Sequence, residues 1–312
     1  MKRCLDSIHF QSFKNIEVIF VDNGSNDNSV AYVRDFFPDV KVISLTENMG
    51  FAGGNIEGLK QVSGDYIMLL NNDVEVEKDC IGNLLSAIQE NPSVGICASK
   101  MLASGTNMID SAGDGYSTLL KGFKRGEGAA EAEYVRQKYV FGACAGAALY
   151  RRKMIEEIGF FDEDFFLIHE DTDLNFRAQL AGWKVLYVPH AIVYHKVRST
   201  IGHMSDTAVY FSLRNSEFVR IKNIPLALFL TCLPLYAVGT ILDFLYFSVK
   251  HGKPLLYIKA KIDVVKMMKM MLIKRRKIMN MKKVDNKYLY ELMTPVWKRE
   301  FFLAKLKKFT RG

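Results

Sequence analysis

Three features of the sequence predict an α/β fold built on an open, mixed but mainly parallel sheet with helices on both faces. Apolar runs typical of strands alternate with stretches of helical spacing between residues 15 and 99; the connections are short; and successive strands end in clusters of Asp, Asn and Gly. Composition agrees, since of 312 residues 49% are hydrophobic and 24% charged, which excludes a disordered or low-complexity chain.

The elements follow in order. NIEVIFV (15–21) reads as a buried strand that ends in the turn cluster DNGSND, and SVAYVRDFF (29–37) carries helical spacing up to Pro38. VKVISL (40–45) is a second strand, NMGFAGGN (48–55) a glycine-rich loop, IEGLKQV (56–62) a helix and DYIMLLN (65–71) a third strand. A helix from about Cys80 to Glu90 and a strand at VGICAS (94–99) complete the regular part. Residues 104–128 contain several glycines and read as loop and hairpin. Regular patterning returns at residues 139–159 and again at 159–197, with no internal repeat.

In such sheets the ligand sits beyond the carboxyl ends of the strands. That rule singles out Asp22–Asn28, Asn48–Asn55 and Asn71–Asp73. Asp73 closes a hydrophobic strand beside Asn71 and Asn72 and shortly before Glu75 and Glu77. A carboxylate there can hold a divalent ion against a diphosphate, because hard cations prefer oxygen ligands; a solvated turn is the competing reading. HEDTD (169–173) places three carboxylates and a histidine at the head of a helix ending at Gly182. These carboxylates can complement the helix dipole and cap free amides, with Asp171 or Thr172 as the cap, or one of them can serve as a general base. Gly50, Gly53 and Gly54 lack the G-x-G-x-x-G spacing, which argues against a dinucleotide-binding dehydrogenase. His195 lies in a strand-like alternation, AIVYHKV, with His190 and His203 nearby, and a metal argument alone does not choose among them.

The ordered series VDNGSNDNS, ENMGFAGGN, GDYIMLLNND, FGACAGAALYRR, GFFDEDFFLIHEDTDLNFRAQLAGW and YHKVRST resembles family 2 glycosyltransferases, in particular the rhamnosyltransferase-like branch that builds bacterial surface polysaccharides. The likeness runs from about Cys4 to Asn223. It implies a GT-A fold, a nucleotide-sugar donor (dTDP-rhamnose or a UDP-sugar), a divalent metal (Mn2+ or Mg2+) and a lipid-linked or polysaccharide acceptor. By the same resemblance, Asp22 and Asn23 would contact the donor base, Gly53, Gly54 and Asn55 would form the donor-side loop, and Asn71 and Asn72 would bind the donor beside the metal-binding Asp73. Asp171 would be the catalytic base, with Glu170 and Asp173 shaping the site and capping the helix, and His195 would complete the metal site. Family members usually begin with a further apolar strand ending in Thr-Tyr-Asn, and Met1 falls after the place where the pattern puts it. That departure keeps a second expectation open: a catalytically silent, membrane-bound module that binds a nucleotide or a partner enzyme.

The carboxy-terminal part differs in kind. Residues 1–249 hold 23 Lys/Arg against 30 Asp/Glu, a net of −7, whereas residues 250–312 hold 19 against 4, a net of +15. Ile224–Leu242 is a run of 19 residues without a charge, close to the ~20 needed to span a bilayer. It is interrupted by Pro234 and Gly239 and flanked on both sides by basic residues, so the positive-inside rule favours an in-plane or re-entrant helix over one span. YIKAKIDVVKMMKMMLIKRRKIMNMKK (257–283) then interleaves cations and apolar residues at helical spacing and suits an anionic membrane surface; a helix packed on the domain with a solvated basic face is the alternative. Its few aromatic platforms argue against nucleic acid. The expected division is a catalytic domain (1–223), an apolar membrane-associated segment (224–249) and a basic helical tail (250–312). Five scattered cysteines, and a start without an apolar run behind its basic residues, predict a reduced compartment and hence the cytoplasmic membrane face.

Overall fold

The computed structural model of the protein describes residues 1–196 and 204–298. The chain opens with α1 (Lys2–His9), β1 (Ile19–Asp22), α2 (Ser29–Phe36), β2 (Lys41–Ser44), α3 (Gly50–Leu59), β3 (Tyr66–Leu70), β4 (Val74–Val76) and α4 (Cys80–Glu90). A strand-rich part follows: β5 (Val94–Ala103), β6 (Ile109–Ser111), β7 (Asp114–Tyr116), β8 (Gly122–Lys124), β9 (Lys138–Val140) and β10 (Ala147–Arg151). Then come α5 (Arg152–Ile158), α6 (Glu170–Leu180), β11 (Lys184–His195), α7 (Asp206–Asn223), α8 (Leu226–Phe244), α9 (Pro254–Asn280) and α10 (Asn286–Leu292).

The main sheet has the order β3-β10-β5-β11-β4, with β6 added on β5 and β9 on β11. β5 and β11 are parallel, whereas β10 runs antiparallel between β3 and β5, and β4 and β9 are antiparallel to β11. The sheet is therefore mixed, with most of its pairings antiparallel. Alternation along the strands feeds two cores: on β10, Ala148 and Tyr150 face one and Ala147 and Leu149 the other. The first core packs against α3, α5 and α6, the second against α1 and α4, so helices cover both faces.

Two expectations need correction near the start. The strand expected over 15–21 begins only at Ile19, and of its four residues only Asp22 is buried, because among the described residues β1 hydrogen-bonds to β2 alone. NMGFAGGN is not a loop: α3 starts at Gly50 and takes in Gly53, Gly54 and Asn55. Small residues allow this helix to lie tight on β1, since a Cβ on Gly58 would come within 2.9 Å of the Val21 side chain. The region 104–128, read as loop and hairpin, supplies β6 as well as the β7–β8 hairpin.

A third core joins the carboxy-terminal helices to the body. It contains Phe176 and Leu180 of α6, Phe218 of α7, Leu228 and Cys232 of α8, Val264, Met271 and Ile278 of α9 and Leu289 of α10. Buried charges stitch the same elements together. Asp173 of α6 is fully buried and receives hydrogen bonds from Arg177 Nε at 2.9 Å, Lys222 Nζ at 2.8 Å and Asn223 Nδ2 at 2.8 Å. Lys222, only 2% exposed, also reaches Asp162, which with Asp164 is gripped by Lys274 of α9. Asp173, expected to cap α6, thus ties it to α7; the residue at the cap position is His169, whose side chain caps no backbone amide.

Removing one partner of a buried ion pair strands the other's charge, at a typical cost of ~3–5 kcal/mol. Lys222→Met should therefore lower the free energy of urea unfolding by about that amount, and a loss under ~1 kcal/mol would show the network to be dispensable. Burial raises the Asp173 carboxyl, but Lys222 and Arg177 outweigh it and hold it at about 2; Arg220 and Lys261 do the same for Glu217, also at about 2. Both groups are depressed from ordinary values of 3.8 and 4.5, so their stabilisation is complete above those values and lost as pH falls through about 2. Thermal unfolding should show a steep loss of stability across that window, and a flat profile there would contradict the assignment.

Candidate active site

The first part of the site lies at the carboxyl end of β1. Asp22 is 3% exposed; its Oδ2 accepts distant hydrogen bonds from the Ser25 amide and Ser44 hydroxyl, both at 3.4 Å, while the buried Oδ1 has no partner among the described residues. Asn23 holds the start of α3: its Oδ1 accepts the Met49 N–H at 2.9 Å and its Nδ2 donates to the Gly50 carbonyl at 2.8 Å. A Cβ on Gly54 would come within 3.1 Å of that amide, which explains a glycine there. Asn55 turns back on its own helix, donating to the Phe51 carbonyl. Asn23, Gly53, Gly54 and Asn55 therefore build the junction of β1 with α3, and Asp22 Oδ1 is a buried polar atom at this end left without a partner among the described residues.

The second part gathers around the β3–β4 turn and the end of β11. Register puts His195 opposite Val74, so its ring meets the side chain of Asp73, with Nε2 3.6 Å from Asp73 Oδ1. Its other nitrogen, Nδ1, lies 2.8 Å from Asp110 Oδ2, and Lys124 Nζ donates to both Asp110 oxygens at 2.8 Å. Burial lowers His195, but hydrogen bonding to Asp110 and Asp73 dominates and lifts it to about 9. Burial raises Asp110, yet His195 and Lys124 bring it down to about 2. Of the three histidines the sequence left open, His190 is exposed on a bulged part of β11 and His203 lies outside the described residues. Asn72 is exposed, Glu75 pairs with Arg3 and Glu77 accepts the Tyr194 hydroxyl, so the neighbours of Asp73 point to the surface.

Asp73 and His195 offer one carboxylate oxygen and one imidazole nitrogen, a donor set that suits Mn2+ and also accepts Mg2+. Among the described residues no cluster of three or more His, Cys, Asp or Glu side chains is arranged to hold an ion unaided. Two protein donors at this spacing fit an ion whose remaining positions go to phosphate oxygens and water.

The third part is the head of α6. Among the described residues, three of the four non-glycine residues with positive φ, namely Phe166, Ile168 and His169, immediately precede it. For a β-branched residue such as Ile168 at +68° this is a strained geometry. Asn215 of α7, fully buried, holds the strained segment by donating to the carbonyls of Phe165, Leu167 and Ile168 at 2.8, 2.8 and 2.7 Å. On the other side the Phe166 carbonyl accepts the Ala52 N–H at 3.0 Å, which links α3 to the same segment. Asp171 accepts the Ala145 N–H at 3.3 Å and the Thr172 N–H at 2.6 Å; burial nevertheless leaves its carboxyl raised. Glu170 is buried with Oε2 unpartnered among the described residues, and burial together with the Asp171 charge raises it well above the ordinary range.

The loop at 141–146 connects the second and third parts. The Gly146 carbonyl accepts the Asn71 N–H at 3.0 Å, and Ala145 binds Asp171. A second link runs through Asp114, which burial and the Asp171 charge push up to about 7 against the opposing pull of Lys124. Asp110, Asp114, Lys124 and Asn215 escaped sequence reasoning. The first two were visible in the sequence only as Asp residues on either side of Gly113 in IDSAGDGY.

Residues 1–159 match the family described as Glycosyl transferase family 2. The poly-beta-1,6-N-acetyl-D-glucosamine synthase of Staphylococcus epidermidis is 25% identical over 203 residues, covering 64% of this chain but only 47% of the synthase, so the chain spans less than half the length of that relative. The N-acetylglucosaminyl-diphospho-decaprenol L-rhamnosyltransferase of Mycobacterium tuberculosis is 25% identical over 255 residues, covering 70% of this chain and 82% of that enzyme. The crystal structure of GalNAc-T7 with UDP, GalNAc and Mn2+ superposes with a TM-score of 0.56 at 16% identity, covering 69% of this chain and 44% of that one, which identifies the architecture as GT-A-like. With more than half of its length matched by the family's pattern, and the mixed sheet that pattern implies, the chain belongs to glycosyl transferase family 2.

Proposed function

We propose that the protein is an inverting, metal-dependent glycosyltransferase that moves a hexose, L-rhamnose or a similar sugar, from a dTDP- or UDP-linked donor to a lipid-linked or polysaccharide acceptor. The observation that carries this reading is that one loop, 141–146, binds both the Asp171 carboxyl and the backbone of Asn71, two residues before the Asp73 that meets His195. Asp22 Oδ1, a buried acceptor, suits the N–H of a uracil or thymine base. Asp73 and His195 would hold the metal, and a divalent ion there offsets the negative charge of the leaving diphosphate. Asp171 accepts the acceptor hydroxyl's proton as the new bond to the anomeric carbon forms and the bond to the phosphate oxygen breaks; one displacement inverts the centre. Its buried setting supports this role, since a carboxyl raised by burial is a better proton acceptor. Burial and the Asp171 charge push the neighbouring Glu170 carboxyl up, which disfavours a second negative charge beside Asp171.

The same reading places the enzyme on the cytoplasmic face of an anionic membrane. α8 exposes Leu226, Leu230, Leu233, Val238, Ile241 and Leu242, and α9 exposes Leu255, Ile258, Ile262, Val265, Leu272 and Ile273. Cations at Lys266, Lys269 and Arg276 lie along the latter stripe. Leu226–Lys250 is long and apolar enough to cross a bilayer, yet α8 touches the body along its length through Leu228, Cys232, Gly239 and the Lys121–Asp243 ion pair. A helix so engaged cannot also be surrounded by lipid, which supports an in-plane position.

Asp171→Asn keeps volume but cannot take the proton, so it should lower sugar transfer ~10²- to 10⁴-fold with circular dichroism and UDP binding unchanged. Equal loss of stability in that variant would point to a structural carboxylate and to the silent module instead. Asp73→Ala should abolish Mn2+- or Mg2+-dependent turnover; full activity in the presence of chelator would sink the metal assignment. In flotation assays the intact chain should bind phosphatidylglycerol vesicles more than phosphatidylcholine ones, with the difference shrinking at high salt. Cleavage of the tail by protease added outside intact cells would show a true span.

A further inference from the structure

We infer that Asp110 is a positioning residue that orients His195 for metal binding, with Lys124 locking it in place. The inference rests on the reading of Asp73 and His195 as the metal pair. An imidazole ligates through one nitrogen and is fixed in ring orientation and tautomer by what its other N–H binds. Here Nε2 faces Asp73 and Nδ1 faces Asp110 Oδ2 at 2.8 Å, so a proton kept on Nδ1 leaves the lone pair of Nε2 directed at the metal side.

Asp110 cannot itself replace Asp73 as a ligand. It is 5% exposed, and Lys124 Nζ lies 2.8 Å from each of its oxygens, one of which also binds His195. The sheet sets this arrangement: β5 pairs β11 on one side and β6 on the other, with His195 opposite Ala103 and Ile109 opposite Leu102. Asp110, next to Ile109, is thereby delivered to the ring of His195, and Lys124 arrives from the β7–β8 hairpin. The two carboxylates on the imidazole thus divide their work, Asp73 toward the ion and Asp110 toward the ring.

The test is Mn2+ binding to the full chain in the presence of UDP, followed by electron paramagnetic resonance. Asp110→Asn should weaken Mn2+ binding ~10- to 100-fold, and Asp110→Glu should recover part of it. Because Asp110 acts only through the ring, the Asp110→Asn/His195→Ala double variant should bind no more weakly than His195→Ala alone. A folded Asp110→Asn protein with wild-type Mn2+ affinity, or fully additive losses in the double variant, would overturn the inference. If Asp73→Ala and His195→Ala leave Mn2+ binding unchanged, the metal pair itself is wrong and this inference falls with it. Should Asp110→Asn fail to fold, the wild-type protein loaded with Zn2+ and UDP decides: 15N signals of His195 must show a protonated Nδ1 and a coordinated Nε2, and the reverse pattern refutes the role.

Discussion

The placement of the proposed catalytic carboxylate depends on one buried ammonium group, that of Lys222. Held between Asp162 and Asp173, it joins the segment before α6, α6 itself and α7, and Lys274 extends the tie to α9. A buried ion network is weak evidence for extra stability, because desolvation consumes most of the attraction. Its value here is directional. Charges buried in one arrangement are costly in every other, so α6 has a single register against α7, and Asp171, two residues before Asp173, inherits that register.

The strained segment ahead of α6 shows where that rigidity is used. Positive-φ conformations at Phe166, Ile168 and His169 each cost ~1–3 kcal/mol, comparable to or more than the ~1 kcal/mol net worth of one ordinary hydrogen bond. The buried amide of Asn215 supplies several such bonds from one side, and the Ala52 amide another from α3. α3 and α7 therefore both hold the segment that leads into α6, the helix proposed to carry the base. In electrostatic terms the site is two-tiered. Around His195, cations and anions alternate; around Asp171, burial and neighbouring carboxyls raise the affinity for a proton. The first tier suits holding an ion against phosphate, the second suits receiving a proton.

Charge separation along the chain meets the same framework. Within the basic tail, α9 is not a loose appendage, since it shares a core with α6 and α7 and lays Lys274 on Asp162 and Asp164. One face of α9 is thus committed to the body, while its outer face carries apolar residues interleaved with cations. The surface proposed to meet lipid is in this way one helix thickness from the segment that positions Asp171.

By itself the sequence determined the alternation of strands and helices, the helix at HEDTD and the positions of Asp22, Asp73, Asp171 and His195 at strand and helix ends. These are local properties, set by period, turn residues and the direction in which a strand delivers its last side chain. Tertiary structure decided what local pattern cannot carry. NMGFAGGN became a helix because its glycines pack against Asn23 and β1, a contact with no sequence signature. Asp173 and Asp171 look alike in HEDTD, yet one points at Lys222 and the other at the loop 141–146, a difference set by which face of α6 meets α7. Asp110 and Lys124 reached His195 only through the pairing of β6, β5 and β11. On α9 the apolar periodicity told that a stripe must be covered, but the packing of neighbouring helices chose which stripe was covered by protein and which was left bare.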